Sequence, residues 1–183
     1  MRARCPRSRM DSNTRNNTLT PMSKIHVSIR PIEKSDFETL CEIDQACFPP
    51  GVAYSTWEMR WFLTRRGAFG FLAEVGDKEN LPPGGSPIAG FIVAWKVQGK
   101  AGHIITLDIL ERYRRLHIGS NLMKKVEEEF RKAEIRVALL EVSVNNTAAQ
   151  EFYKGFGYKV NERLKNYYPT GEDALEMARW FEE

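Results

Sequence analysis

Two side chains that can move protons, Glu141 and Tyr153, lie twelve residues apart in one short stretch of the sequence. The apolar, β-branched run 137–144 predicts a strand, and this strand carries Glu141. Asn145 and Asn146 end the strand and can cap the helix on which Tyr153 falls. The pair is therefore a possible base and acid in one strand–helix unit. On these residues alone, a buried acid with a partner and a core tyrosine is the favoured interpretation.

The helix after Asn146 is predicted from small and aromatic residues at helical spacing, which form a stripe suited to burial: Ala148, Ala149, Phe152, Tyr153 and Phe156. Gly155 and Gly157 mark its end, because glycine accepts the left-handed conformation at which helices commonly terminate. The strand and the helix together can hold a carboxyl group and a phenol in fixed positions.

A second stretch, residues 107–122, has the composition of a loop that binds an anion at the start of a helix. A helix amino terminus offers free N–H groups and the positive end of the helix dipole. Arg114 and Arg115 add charge beside it, and Gly119 and Ser120 leave room for a ligand to approach closely. The same residues also fit a basic turn before an ordinary helix.

Hydrophobic periodicity predicts eleven elements in the order β-α-α-β-β-β-α-β-α-β-β, which is an α/β (α+β) fold with a mixed sheet and helices on both faces. The two early helices are expected to begin at capping boxes, Ser35 with Glu38 and Ser55 with Glu58. The second of them carries Trp57 and Trp61, which we expect in the core or a wall rather than in the chemistry. The polar, proline- and glycine-rich segment 76–87 predicts a hairpin loop.

The 183-residue chain has a net charge of +3 that is unevenly distributed. Residues 1–21 contain five arginines and one aspartate, a net charge of +4, so the remainder carries −1. A nearly neutral body argues against a nucleic-acid surface on the fold itself. We expect residues 1–21 to be a disordered basic tail, either an RNA-binding arm or sequence upstream of a start at Met22, which we favour. Residues 22–183 are expected to form one domain.

Cysteine and histidine usage gives no indication of a metal site, because the three residues of each type lack the spacing of metal ligands: Cys5, Cys41, Cys47, His26, His103 and His117. We expect reduced thiols and a cytoplasmic protein. No apolar run approaches the ~20 residues of a membrane-spanning helix, so no membrane partner is predicted.

The loop at 114–119 resembles motif A of the GNAT acetyltransferase superfamily, [RQ]-x-x-G-x-[GA], with Arg114 first and Gly119 last. His117 occupies the position of the first glycine, which implies either weaker cofactor binding or an added phosphate contact. The resemblance runs from Ile25 onward. It implies a sheet of about seven strands that splays between the fourth and fifth, and acetyl-CoA held by Leu107, Ile109, Arg114, Arg115, Leu116, His117, Ile118, Gly119, Ser120 and Asn146.

The stretch around Glu141 and Tyr153, with N-Y-Y-P at 166–169, resembles the RimI-type branch of this superfamily, which acetylates protein amino termini. The resemblance implies that Glu141 is the general base, that Tyr153 is the general acid, and that Asn146 binds the pantetheine arm. The segment from Phe48 to Ser55 is similar to the F-P-V-x-Y loop of amino-terminal acetyltransferases, with two extra residues. The peptide slot is therefore expected to include Phe48, Tyr54, Tyr167 and Tyr168.

Asp108 is a rival base, because some family members carry a carboxylate on this strand. We rank it below Glu141, since its side chain is expected to point away from those of Leu107 and Ile109. The backbone N–H of Ile109 is assigned to the carbonyl oxygen of the acetyl group.

The leading hypothesis is an enzyme that moves an acetyl group from acetyl-CoA to a protein amino terminus by direct attack in a ternary complex. The resemblance suggests a ribosomal protein as substrate. We expect a monomer or weak dimer. Three alternatives stay open. They are an acetyltransferase for a small amine, which N-Y-Y-P disfavours; an acyl-CoA-binding module without turnover, which His117 favours; and an RNA- or ribosome-docking protein acting through the arginine tail.

Overall fold

The computed structural model describes residues 26–76 and 87–181. The predicted tail 1–21 and most of the loop 76–87 lie outside the described residues. The elements follow the predicted order: β1 Val27–Pro31, α1 Phe37–Cys47, α2 Thr56–Thr64, β2 Ala68–Val75, β3 Ile88–Val97, β4 Ala101–Ile109, α3 Ile118–Lys132, β5 Val137–Ser143, α4 Thr147–Gly155, β6 Lys159–Leu164 and β7 Ala174–Trp180. Short 3-10 turns at Lys34–Asp36 and Glu111–Tyr113 precede α1 and α3.

The seven strands form one sheet in the order β1-β2-β3-β4-β5-β7-β6. Its one parallel pair joins β4 to β5, and it covers three residue pairs, from Ala101 with Val137 to His103 with Leu139. Beyond His103 the two strands diverge, while β4 stays paired with β3 up to Ile109. The predicted mixed sheet and its splay between the fourth and fifth strands are confirmed.

Helices cover both faces of the sheet, and a hydrophobic cluster lies under each layer. The face under α3 and α4 buries the helix residues Leu122, Met123, Val126, Phe130, Ala149 and Tyr153. The opposite face, under α1 and α2, buries Leu40, Ile43, Met59 and Phe62 against Leu72, Phe91, Val93 and Trp95. The indole N–H of Trp95 donates to the Phe62 carbonyl at 3.0 Å, which ties α2 to β3.

Helix α3 packs tightly on the sheet at Gly102, where an added Cβ would lie 2.6 Å from the ring of Phe130. Replacing Gly102 by valine should destabilise the protein by about 2 kcal/mol, because the packed ring has to move. The free energy of urea-induced unfolding measures this. Gly155→Ala is the matched control, since its Cβ would meet nothing within 4 Å. Equal unfolding midpoints for wild type and Gly102→Val would contradict the packing.

The start of α1 differs from the prediction. The predicted capping box of Ser35 with Glu38 is wrong, because Asp36 accepts the N–H of Glu33 at 2.7 Å and α1 begins after it. Both carboxylate oxygens of Asp36 accept N–H bonds from Arg30 at 2.8 Å. This pairing holds the pKa of Asp36 below its usual value. The ion pair with β1 therefore decides where the helix starts.

The predicted capping box of α2 is confirmed, and the two tryptophans of this helix lie outside the core. The hydroxyl of Ser55 accepts the N–H of Glu58, and the Glu58 carboxylate accepts the N–H of Ser55. Trp57 and Trp61 are 72% and 40% exposed, so of the two expected places, core or wall, the core is wrong. Trp61 packs edge-on against Phe62 and Trp95. Met59 and Phe62 face the sheet instead.

Candidate active site

Glu141 lies on β5 immediately beyond the point where β4 and β5 part, and it is 6% exposed. Its carboxylate oxygen Oε2 lies 2.9 Å from Nε2 of His103 on β4. The hydroxyl of Tyr167, in the β6–β7 loop, hydrogen-bonds to the same carboxylate. The three side chains form a hydrogen-bonded cluster at the mouth of the splay, in which Glu141 is buried and His103 and Tyr167 are partly buried.

Tyr167 acts in this cluster as a hydrogen-bond donor. Burial raises the pKa of its phenol well above the usual value, and the nearby charge of Glu141 raises that pKa further. Tyr167 therefore keeps its proton and directs it at the carboxylate. Tyr54 and Tyr168 lie close enough to raise the pKa of the same phenol.

His103 is the member of this cluster that was not predicted from the sequence. His103 is in register with Leu139, and Glu141 follows two residues later on the same face of β5. Its ring also packs edge-on against Trp95, with the ring centroids 6.1 Å apart. The pairing depends on the parallel register of β4 and β5, which no local pattern reveals. Once that register is known, the alternation of side chains along a strand predicts the contact between His103 and Glu141.

The loop before α3 has the backbone of an anion site. Arg115 and His117 both have positive φ, 62° and 58°, so two residues of the loop adopt the left-handed conformation. The helix begins at Ile118, and its first internal bond runs from the N–H of Asn121 to the carbonyl of His117 at 3.0 Å. The N–H groups before Asn121 have no carbonyl within the helix to bind. An added Cβ at Gly119 would meet its nearest neighbour, Phe152 of α4, at 3.6 Å.

These observations fit the pyrophosphate of coenzyme A at residues 115–120, as predicted. The side chains of Arg115, Leu116 and His117 are exposed at the rim of the loop. Histidine at 117 occupies a left-handed backbone position, which it tolerates better than β-branched residues do. The roles of these residues stay predictions.

The side chain of Arg114 is partly buried, whereas those of the next three loop residues are exposed. Its Nε donates to the carbonyl of Ile109 at 3.1 Å, and its guanidinium hydrogen-bonds to the thiol of Cys47. Burial raises the pKa of this thiol, and the charge of Asp108 raises it further. Arg114 therefore links the end of β4 to the end of α1.

Replacing His117 by valine should weaken acetyl-CoA binding about tenfold, because a β-branched residue at φ 58° costs on the order of 1–2 kcal/mol and distorts the loop. Isothermal titration calorimetry with coenzyme A measures the change in Kd. His117→Gly is the matched control, since glycine adopts this backbone without strain and should bind at least as tightly as wild type. Equal Kd values for the valine and glycine variants would contradict this account.

The gap of the splay opens beside the last residues of β4. The N–H of Leu110 donates to Ala89 of β3 at 3.0 Å. Since successive N–H groups of a strand point to opposite sides, those of Ile109 and Leu107 point into the gap. Both residues also place their side chains in the cluster under α3. This is the arrangement expected for their predicted contacts with the cofactor.

Helix α4 packs beside the loop before α3, since an added Cβ at Gly119 would meet Phe152 of α4. The side-chain oxygen of Asn146 accepts the N–H of Ala149 at 3.2 Å, so the predicted helix cap is formed. Tyr153 is fully buried against Phe152 and Tyr158. The predicted buried stripe holds except at Ala148, which is exposed.

The four predicted substrate residues divide by location. Tyr167 contacts Glu141, and Tyr168 is buried beside it with its N–H bonded to Glu172. Tyr54 is 5% exposed; its N–H donates to Asp44 at 2.6 Å and its hydroxyl to the carbonyl of Ile105. Phe48 ends α1 and is half-buried. The structure thus brings the three tyrosines together at the cluster.

The rival base Asp108 is fully buried on β4, and its oxygen Oδ1 accepts the hydroxyl of Thr106 at 2.6 Å. Its charge raises the pKa of the Cys47 thiol at the end of α1. The side chains of Leu107 and Ile109 lie instead in the cluster under α3. The predicted opposite orientation of Asp108 is therefore confirmed.

Known proteins resemble this chain in both sequence and fold. Residues 37–158 match the model of the acetyltransferase (GNAT) family. An N-alpha-acetyltransferase of Sulfurisphaera tokodaii is 42% identical over 83 residues, 43% of this chain and 48% of that protein, so the alignment spans about half of that relative. An uncharacterized N-acetyltransferase of Methanocaldococcus jannaschii is 30% identical over 152 residues, covering 82% and 90%. The structure of Ard1 from Thermoplasma volcanium is 26% identical with a TM-score of 0.74, covering 86% and 99%.

Proposed function

Because the chain belongs to the GNAT family and is an acetyl-CoA-dependent N-acetyltransferase, we propose that its acceptor is the amino-terminal α-amine of a protein. The observation that carries this proposal is the cluster of Glu141, His103 and Tyr167 at the mouth of the splay. The anion loop at the start of α3 opens on the other side of the same gap. A donor and an acceptor can therefore meet between them.

Acetyl-CoA supplies an acetyl thioester, and the residues of this chain hold it in two places. The backbone of residues 115–120 holds the pyrophosphate through N–H groups at the helix start. The β4 edge at Leu107 and Ile109, with Asn146 across the gap, holds the pantetheine arm. Holding both reactants in one gap replaces a bimolecular encounter by a fixed approach.

The α-amine suits this site because it needs little help to lose its proton. Its pKa of about 7.7–8.0 lies well below the value of about 10.4 for lysine. Glu141 receives the proton through ordered water, and His103 and Tyr167 orient the Glu141 carboxylate. A buried carboxylate held by donors keeps its position when no substrate is bound.

Two further groups stabilise the charges that develop on the acetyl oxygen and on the leaving thiolate. The N–H of Ile109 donates to the acetyl oxygen as negative charge develops there. The phenol of Tyr153 gives its proton to the leaving thiolate from α4. The bond that forms joins the amine nitrogen to the acetyl carbon, and the bond that breaks is the thioester C–S bond.

The RimI-type assignment, a ribosomal protein as substrate, a cytoplasmic location and a monomer or weak dimer are further parts of this proposal. The name of the Sulfurisphaera relative, an N-alpha-acetyltransferase, supports an α-amine acceptor in general. Residues 26–76 and 87–181 include no helix that is long and apolar enough to cross a membrane. The arginine tail of the RNA-docking alternative lies outside the described residues.

A peptide panel tests the proposed acceptor. The full chain is incubated with acetyl-CoA and peptides that differ in their first two residues, and acetylated products are located by mass spectrometry. Peptides with a blocked amino terminus and an internal lysine, and a polyamine, serve as controls. We expect modification of the α-amine. Products from only the lysine peptide or the polyamine would overturn the proposal, and tight acetyl-CoA binding without any product would favour a module without turnover.

A further inference from the structure

Helices α1 and α2 cover only half of their face of the sheet. Among the described residues, the cluster beneath them includes residues of β2, β3 and β4 but none of β5, β6 or β7. Trp180 of β7 is paired with Val137 on the uncovered half and is 62% exposed. Glu141 and His103 belong to this same face, so the cluster opens onto an uncovered surface that a polypeptide can follow.

A cavity of about 610 Å³ lies where this surface meets the end of α2. Its lining includes Arg65, Arg66, Trp95 and Val97. Trp61 stands beside it, with its ring 5.4 Å from that of Trp95. We call these five residues the basic trough.

The trough lies close to the active-site cluster, and a row of packed side chains joins the two. The guanidinium carbon of Arg65 lies 3.3 Å from the centroid of the Trp95 ring, and that ring contacts His103. His103 in turn lies 2.9 Å from Glu141. The guanidinium is therefore within about 15 Å of the Glu141 carboxylate, a span that an extended chain crosses in about four or five residues.

The two arginines of the trough differ from other arginines of the described residues in their contacts with acids. Within the described part of the chain, neither Arg65 nor Arg66 forms an ion pair with a carboxylate. Other arginines of the same part do pair with acids, namely Arg30, Arg131, Arg163 and Arg179. Stacking on Trp95 occupies the face of the Arg65 guanidinium, and its N–H groups lie in the ring plane, where a carboxylate binds.

Charge also changes sign along the surface. Glu141 and its neighbour Glu176 on β7, which are paired in register, make the active-site end acidic. Arg65 and Arg66 make the far end basic. A peptide that carries a positive α-ammonium group first and a carboxylate a few residues later matches both ends.

We propose that the basic trough receives the substrate chain downstream of the acetylated residue, and that the protein selects polypeptides with Asp or Glu at about the fourth to sixth position. This inference rests on the proposed function, because it places the amino terminus at Glu141. The exposed side chains of Trp61 and Val97 supply apolar surface for the intervening residues.

Three peptides that share their first three residues test this selection. Residues 4–6 are acidic in one, amide-containing in the second and basic in the third, and kcat/KM is measured for each at low and high salt. The acidic peptide should exceed the basic peptide about tenfold at low salt, because two exposed charge pairs each contribute up to about fivefold. The ratio should shrink in high salt. Equal values for the three peptides would overturn the proposal.

Arg66→Glu locates the effect. Arg66 is exposed, so its replacement leaves the core intact, and the ratio between acidic and basic peptides should fall to about one or invert. Lys124→Glu is the matched control, since it makes the same charge change on an exposed position of α3 across the sheet and should keep the wild-type ratio. A wild-type ratio in Arg66→Glu would overturn the assignment to the trough. If no peptide amino terminus is acetylated, the proposed function fails instead.

Other occupants of the trough give different results. Fluorescence anisotropy with a single-stranded RNA oligonucleotide tests for a nucleic acid, and sedimentation of wild type and Arg66→Glu tests for a second copy of this chain. RNA binding or dimerisation that Arg66→Glu abolishes, together with equal rates for the three peptides, would overturn the proposal and reassign the trough.

Discussion

Replacing Glu141 by glutamine is expected to lower kcat/KM for a peptide α-amine by about 10²- to 10³-fold near pH 7, the range typical of a lost general base. Glutamine keeps the shape of the side chain and can still bond to His103 and Tyr167, so the cluster should stay assembled. It cannot accept the proton of the amine. The loss should therefore fall on turnover, with little change in the affinity for acetyl-CoA, because residues 115–120 lie apart from the cluster.

The pH dependence gives the sharper measurement. In the Glu141→Gln variant the rate should follow the fraction of neutral amine and keep rising towards pH 9, since an α-amine has a pKa of about 7.7–8.0. In wild type the rate should level off at lower pH, because the enzyme removes the proton itself. Rate profiles from pH 6 to pH 9 with saturating acetyl-CoA distinguish the two.

Glu176→Gln is the matched control for this experiment. Glu176 is directly opposite Glu141 in the antiparallel pairing of β5 and β7, and its carboxylate accepts the side-chain N–H of Asn161. Its loss removes one nearby negative charge without touching the contact with His103. The Glu176 variant should keep most of the wild-type rate. Equal losses in both variants, or unchanged turnover of Glu141→Gln across pH, would remove Glu141 as the base.

The parts of the site that are local in sequence could be predicted. Asn146 caps α4, and Gly157, with φ 84°, ends that helix in a Schellman motif through the bond from Tyr158 N–H to Tyr153 O. The loop before α3 likewise follows from neighbouring residues. Such features depend on backbone preferences and spacing within one or two turns of chain, and these can be read from a single sequence.

Features that depend on distant residues were missed for a physical reason. His103 and Glu141 meet because β4 and β5 are parallel in a particular register, and 38 residues separate the two. The deciding partner comes from another strand, where hydrophobic periodicity gives no register.

The exposed tryptophans of α2 illustrate the same limit. Trp57 and Trp61 are i and i+4 on the helix, a spacing that fits a buried stripe. Phe62 and Met59 fill the space over β3 instead, because the indole of Trp95 bonds to the carbonyl of Phe62. Neither tryptophan lies in the core, and Trp61 flanks the proposed basic trough.

Replacing Tyr153 by phenylalanine is expected to lower kcat about 10- to 100-fold while the protein stays folded. The loss should be smaller than for Glu141, because a leaving thiolate with a pKa near 8.5 departs with only moderate need for a proton. The phenylalanine ring keeps the contacts with Phe152 and Tyr158. Single-turnover rates with acetyl-CoA and thermal unfolding of the same samples separate chemistry from stability.

Tyr158→Phe is the matched control, because Tyr158 is a buried tyrosine whose ring centroid lies 6.1 Å from that of Tyr153. Burial raises the pKa of its phenol, so it too stays protonated, but it follows α4 and lies near Glu127 and Arg179. Loss of its hydroxyl should change turnover less than twofold. The two substitutions delete the same atom from neighbouring buried rings, so they differ in whether that atom reaches the leaving sulfur. A wild-type rate in Tyr153→Phe would leave Tyr153 as a packing residue, and the thiolate would then have to take its proton from water.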